Sequence, residues 1–355
     1  MMQILHAADL HLGAKFGMLP PEKAEQKRKE QLLQLRQLEN LGRQCQLVLL
    51  AGDLFDTPQG SEGAFQALTA SLETIGKPVF IAPGNHDFVA PGSPYWQRSW
   101  PGNVHLFRQP RITETVLEEL GCRVWGAGFT GMDCPGLLEG FHAPKEELLQ
   151  LMVLHGDPTS AQSPTNPVTR SQVEGSNLDY LALGHIHKAG SFQAGKTLCA
   201  WPGCPMGTGF DETGDKGVLL VQVDESGAEA RFVRLAGGRF TDLTLPVGEP
   251  ESILRALPPD TREDVCRITL TGSGKPDWAT LQRALEKRFF HLELRDRTTA
   301  PAPLWDMADS DSLEGVYFRL LRQAMEQSQG QTRQALELAA RISRDILSGQ
   351  EVELP

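Results

Sequence analysis

Short apolar runs alternate with longer amphipathic stretches through the first two thirds of the chain, the pattern of an α/β protein. Residues 3–8, 47–51 and 79–82 predict buried strands, each stopping at a polar or turn-forming residue. Between them, residues 21–43 carry Leu32, Leu35, Leu38 and Leu41 among charged positions, the spacing of one helical face, and residues 65–75 predict a second helix. Further strands are expected at 123–127, 151–154 and 180–183, followed by an antiparallel pair at 217–223 and 230–235. The pattern then changes. Strands at 242–247, 265–271 and 291–295, with a helix at 278–289, predict a small α/β unit, and Thr299 to Pro303 reads as a Pro/Ala linker. The last stretch, 313–347, predicts two helices broken near Gln329-Gly330, with apolar positions at Val316, Leu320, Leu336, Leu338, Ile342 and Ile346. The expected domains are therefore 1–240, 241–300 and a tail at 301–355.

Composition narrows this picture without changing it. The 355 residues, 40% hydrophobic and 22% charged, fit a globular chain too long for one typical domain. No apolar run reaches the roughly 18 residues that span a bilayer, and the N-terminus lacks the basic region of a signal peptide, so a cytoplasmic location is expected. Cys45, Cys122, Cys134, Cys199, Cys204 and Cys266 contain no Cys-x-x-Cys pair and read as reduced thiols, which argues against a thiolate zinc site. The formal net charge of -11 argues against a basic nucleic-acid coat. It leaves open phosphate binding at a metal site, where two divalent ions would bring about +4 of charge.

Five short motifs each fall where a predicted strand ends. They are Asp9-Leu10-His11, Gly52-Asp53-Leu54-Phe55-Asp56, Gly84-Asn85-His86-Asp87, His155-Gly156 and Gly184-His185-Ile186-His187. Taken singly, each has a plain structural reading as a cap, a turn or a core histidine. Together, in order, at the carboxyl ends of strands, they predict convergence on one sheet edge. Carboxylate, amide and imidazole donors suit hard divalent metals. A two-metal site needs ions about 3.5–4 Å apart and hence a bridging carboxylate.

The series resembles that of the calcineurin-like metallophosphoesterases. Within them, Asp9-Leu10-His11-Leu12-Gly13, Gly52-Asp53-Leu54-Phe55-Asp56, Gly84-Asn85-His86-Asp87 and Gly184-His185-Ile186-His187 resemble the DNA-repair exonucleases of the SbcD type, nuclease partners of an SMC-like ATPase. The resemblance covers residues 9 to 187, about half of the chain. It implies an α/β fold with a metallophosphoesterase-type β-sandwich flanked by helices, a small α/β capping domain and a C-terminal helical tail that docks on the ATPase. It implies that Asp9, His11, Asp53 and His187 hold one metal and that Asp53, Asn85, His155 and His185 hold a second, with Asp53 bridging. Manganese is the first expectation, with iron and zinc as alternatives. His86 would be the general acid or transition-state stabiliser near the leaving group, oriented through a hydrogen bond that Asp56 accepts, while Asp87 would be structural.

Other residues are weighed by position. A Pro-Gly-x-Pro turn within residues 201–210 also resembles the exonucleases. It carries Cys204 where a Ser or Asn is common, and Gly207-Thr208-Gly209 lacks the Arg that relatives often place there. Lys15, Arg98, Arg170 and Lys188 are candidate phosphate contacts, and Tyr95, Trp96 and Trp100 either stack on bases or pack a loop. His6 reads as core, and His105, His142 and His291 as structural or surface residues. The expected activity is metal-dependent hydrolysis of DNA phosphodiesters, with a homodimer left open. The alternatives are a phosphodiesterase or phosphatase for small nucleotides, which suits the acidity, and a non-catalytic adaptor, which the full set of ligand positions argues against.

Overall fold

The computed structural model describes residues 1–257, 262–299 and 304–348; residues 300–303 of the expected linker and the segment 349–355 lie outside the described residues. The chain divides into two compact units. The first comprises Met1–Leu243, Pro258–Arg267 and Leu285–Glu293, and the second comprises Thr244–Leu257, Ile268–Ala284 and Leu294–Pro355.

In chain order the first part contains β1 (Met2–Ala7), α1 (Pro21–Gly42), β2 (Leu47–Leu50), α2 (Glu62–Ile75), β3 (Val79–Ile81), α3 (Pro94–Gln97), β4 (Val104–Leu106), β5 (Thr113–Leu117), β6 (Cys122–Gly126) and β7 (Leu149–His155). It continues with α4 (Arg170–Gly175), β8 (Tyr180–Gly184), β9 (Lys188–Ala194), β10 (Thr197–Gly203), β11 (Gly217–Asp224) and β12 (Gly227–Arg234). These strands form two six-stranded sheets, ordered β12-β11-β1-β2-β3-β4 and β5-β6-β7-β8-β10-β9. Strands β1 to β4 run parallel, and so do β6, β7 and β8. The expected pair β11 and β12 is antiparallel and adds to β1.

Alternation along each strand builds the layers. Ile4, Leu47, Leu49 and Phe80 point between the sheets and pack with Val124, Leu151, Val153, Tyr180 and Ala182 of the second sheet. Leu5, Val48, Leu50 and Ile81 point the other way, onto Leu35, Leu38, Leu68 and Leu72 of α1 and α2. The outer face of the second sheet buries Met152, Leu154, Leu181 and Leu183 in a third cluster with Val168, Val173 and Leu178. The protein therefore has the expected β-sandwich with helical flanks. His6 is fully buried between the sheets, its Nδ1 at 2.7 Å from the Tyr180 hydroxyl and its Nε2 at 3.0 Å from the Leu183 carbonyl. Burial pushes its pKa down to about 3, so a neutral ring ties β1 to β8.

The remaining elements are β13 (Phe240–Pro246), α5 (Pro250–Ala256), β14 (Val265–Ser273), α6 (Trp278–Leu285), β15 (His291–Thr299), α7 (Leu313–Glu326) and α8 (Gly330–Leu347). Strands β13, β14 and β15 form a three-stranded sheet in that order. The division between the two units passes within these strands. The helices α7 and α8 bury Phe318 and Ala340 against Ala308, while Leu313, Val316, Leu320, Leu338 and Ile346 remain exposed.

Two expectations need correction. The helix at 278–289 ends at Leu285, because Phe290 turns away to pack beside Phe16, Phe240 and Val265. The Pro-Gly-x-Pro turn expected at 202–205 starts within β10, which runs to Gly203 before the chain bends at 205–206, and β10 pairs with a strand, β9, that the apolar pattern does not predict. Both belong to a short antiparallel ribbon at the sheet edge, where alternation is broken by Gly190, Gly195 and polar residues.

Candidate metal centre

The five motifs meet, but at the rims of two sheets and not along one edge. Asp9, Asp53 and Asn85 follow β1, β2 and β3 of the first sheet, whereas His155 ends β7 and His185 follows β8 of the second. A single alternating α/β pattern conceals that the strand series is split between two layers facing one core. Parallel order within each layer brings all five carboxyl ends to the same side.

Backbone hydrogen bonds fix the first two loops side by side. Asp9 N–H donates to Gly52 O and His11 N–H to Asp53 O, both at 3.0 Å. Asp9, His11, Asp53 and His185 all adopt positive φ, at 53, 40, 52 and 101°. Left-handed backbone at four non-glycine residues stores strain, which clusters where side chains are aimed for function. Gly84 has no side chain for a related reason: a Cβ there would lie 2.3 Å from Asp53 Oδ1 and 2.9 Å from His155 Nδ1.

Within this frame the side chains converge. His155 Nε2 lies 3.4 Å from Asp53 Oδ2 and 2.9 Å from Asn85 Oδ1. His11 Nε2 lies 3.9 Å from the same Asp53 oxygen and 3.2 Å from His187 Nε2. The rings of His155 and His185 meet edge to face with centroids 5.3 Å apart. Asp9 accepts the His185 N–H at 3.0 Å and groups with His11 and His187, while Asp9, Asp53 and His155 form a second potential metal-binding group. All seven expected ligands are thus brought together.

The donors fit a divalent cation. His155 Nδ1 donates to Ala51 O at 2.8 Å, so Nε2 is the ring atom turned to Asp53 and Asn85. His187 Nδ1 donates to Glu212 and its Nε2 faces the centre; burial is outweighed by Glu212 and Asp9, which raise its pKa. Burial raises the Asp9 pKa despite the neighbouring histidines, because its charged form lacks sufficient compensation. Asp53 is held below the usual range: burial opposes this, but His155, His11, His86 and the His86 N–H outweigh it. Burial and nearby His155 lower the His185 pKa to about 4, keeping it neutral and able to ligate. For His11, burial is outweighed by Asp56, Asp53 and Asp9, and the pKa rises to about 9.

The flanking residues divide clearly. His86 is exposed, its ring edge to face with His11 at 4.8 Å between centroids, and its N–H donates to Asp53 Oδ1 at 2.8 Å. Asp56 lies beside both rings: its carboxylate is 3.6 Å from His11 Nδ1, and it groups with His11 and His86. The loop bearing Asp56 is drawn to the first motif by the Leu12–Phe55 bridge, beside His11. Asp87 is fully buried and accepts N–H groups from Gly84, Asp53, Leu54 and Phe55 and the Tyr95 hydroxyl at 2.6 Å. Tyr95 is buried and stacks on Trp100 at 5.4 Å, whereas Trp96 is 65% exposed.

Arg98 pairs with Glu62 over the Phe65 ring, and Arg170 bonds the Gln193 carbonyl, so both serve packing. Lys15 and Lys188 are exposed. All six cysteines are buried free thiols, and burial pushes Cys204 up to about 12. His105 stacks on Phe80, His142 is exposed with its Nδ1 bonded to Gly175 O, and His291 is half-buried. Sequence reasoning missed three supports: Gln31, which donates to His11 O; Asn166, which donates to His155 O; and Glu212. None carries a local pattern that distinguishes it from a surface polar residue.

The calcineurin-like phosphoesterase family profile matches residues 2–189, and the chain belongs to that family, whose chemistry is metal-dependent hydrolysis of phosphoesters. An uncharacterized metallophosphoesterase of Bacillus subtilis, YhaO, is 28% identical over 346 residues, spanning 86% of this chain and 84% of its own. The SbcD component of the nuclease SbcCD from Bacillus subtilis is 25% identical over 284 residues, 67% of this chain and 71% of its own. Among solved structures, a conserved uncharacterized protein of Streptococcus pneumoniae aligns with 14% identity and a TM-score of 0.34, over 66% of this chain and 89% of its own. No helix among the described residues is long and apolar enough to cross a membrane.

Replacing Asp87 by Ala strips the shared acceptor from four buried N–H groups. Each stranded donor costs about 1–3 kcal/mol. The expected loss is at least about 3 kcal/mol, read as a lower urea midpoint at unchanged slope.

Proposed function

We propose that this chain is a two-metal phosphodiesterase that cleaves DNA as the nuclease component beside an SMC-like coiled-coil ATPase. The observation that carries the two-metal reading is the shared carboxylate. Asp53 Oδ2 faces His11 Nε2 at 3.9 Å from one sheet and His155 Nε2 at 3.4 Å from the other. In this reading Asp9, His11, Asp53 and His187 hold one ion, and Asp53, Asn85, His155 and His185 hold the second. Oxygen and imidazole donors suit manganese first, and iron or zinc after it. When bound, the ions supply positive charge to the phosphodiester and an activated nucleophile. His86 is the exposed imidazole beside this cluster and holds a ring proton for the leaving oxygen. Asp56 groups with His11 and His86 and orients this pair of rings.

DNA as substrate is supported by the similarity to the SbcD component of that nuclease, which extends beyond the region of the family profile. Exposed Trp96, in the segment following His86, supplies a face on which a base can stack. The second reading, a small-nucleotide phosphodiesterase, is favoured by the net charge of -11. Digestion of single- and double-stranded DNA with Mn²⁺, beside cyclic and dinucleotide substrates, separates the two: cleavage of nucleotides alone would overturn the nuclease reading. In the same assay His86→Asn lowers turnover by about 10²–10⁴-fold while retaining bound metal. Full activity on a diester with a poor leaving group would remove His86 from its role.

The exposed apolar positions Leu313, Val316, Leu320, Leu338 and Ile346 support docking of the tail on the ATPase. Deletion of residues 304–355 is expected to spare hydrolysis of a small chromogenic diester and to abolish co-purification with that partner. A truncated chain that still co-purifies refutes the docking role.

A further inference from the structure

The connection between β10 and β11, residues 204–216, encloses one candidate ligand. Glu212 accepts a hydrogen bond from His187 Nδ1. Lys216 Nζ and the Cys204 N–H donate to the His187 carbonyl at 3.0 and 3.4 Å. Glu212 is itself immobilised, since the Thr208 N–H and hydroxyl donate to its Oε2 at 2.6 and 3.0 Å. Its side chain is only 10% exposed. His187 Nε2 points the opposite way, 3.2 Å from His11 Nε2 and in one group with Asp9.

We propose that Glu212 is a positioning residue of the metal centre: it locks His187 as the Nδ1–H tautomer, with the Nε2 lone pair aimed at the ion that Asp9 and His11 also face. A carboxylate behind a ligating imidazole fixes its tautomer and orientation and raises its basicity. The inference rests on the two-metal reading and adds the device that orders one of its ligands. It also assigns the segment that lacks the relatives' arginine: residues 204–216 grip a ligand from behind. A separate soft-metal site made from His187, Cys204 and Glu212 is disfavoured. The Nδ1 atom already donates to Glu212, and the Lys216 ammonium sits beside the same residue.

The test is Mn²⁺ titration of the full-length protein by calorimetry and electron paramagnetic resonance. Wild type is expected to take two ions and give an exchange-coupled spectrum. Glu212→Ala is expected to weaken one of the two sites by about 10–100-fold and leave the other unchanged. At metal concentrations that load both wild-type sites, its spectrum is that of an isolated ion. Equal affinities at both sites in the folded variant overturn the proposal while sparing the two-metal reading; a wild type that binds no Mn²⁺ overturns both. A second measurement needs no variant. In ¹⁵N-histidine-labelled protein loaded with Cd²⁺, His187 is expected as the Nδ1–H form with Nε2 coupled to the metal, and an Nε2–H form refutes the assignment.

Discussion

Three carboxylates, Asp9, Asp53 and Asp87, are buried within neighbouring loops of one rim. Each charge brought out of water costs several kcal/mol unless it is paired or hydrogen-bonded. The protein compensates them unequally. Asp87 gathers four backbone N–H groups and a tyrosine hydroxyl. Asp53 receives the His86 N–H and lies close to the His11 and His155 rings. Asp9 receives the His185 N–H at both oxygens, and burial still raises its pKa. The under-compensated carboxylate of Asp9, beside the His11 and His187 rings, is the electrostatic reason that a cation belongs there.

That arrangement is held by backbone more than by side-chain packing. Asp9, His11, Asp53 and His185 keep left-handed φ angles, which cost L-residues of their size about 1–2 kcal/mol each. The neighbouring strands are fully buried and parallel, and their ladders over-determine where the loops begin. Loops of this kind do not need to reorganise around an ion, because their directions are set before it arrives. The helical side contributes as well: Gln31 reaches from α1 to the carbonyl of His11, so a surface helix is coupled to the site floor.

Much of this was legible in the chain. Buried strands such as β2 and β8 are continuous apolar runs ending in Gly-Asp and Gly-His, and both element and motif follow from the residues. The seven convergent side chains were legible because each sits directly after such a run. Their distribution over two sheets was not, because apolar runs do not say which layer a strand joins. The nearness of Asp56 to His11 was hidden for a similar reason: loop register, not sequence distance, decides that it meets that ring. Glu212 was invisible because its meaning comes from a single contact across 25 residues, within a segment whose composition reads as a plain turn.

The order of the strands has a consequence for how the molecule is made. β1 is synthesised before β11, its antiparallel neighbour, which begins at Gly217, after His187. Every residue that lines the rim is therefore synthesised before the sheet carrying Asp9 acquires its other edge. The nascent chain waits with an open flank along β1, exposed to wrong pairings until β11 seats. A fragment cut at residue 189, where the family profile stops, would keep all seven donors and lose the strands that close both sheets. For this chain the strands that complete both sheets lie well past the boundary of its recognisable chemistry.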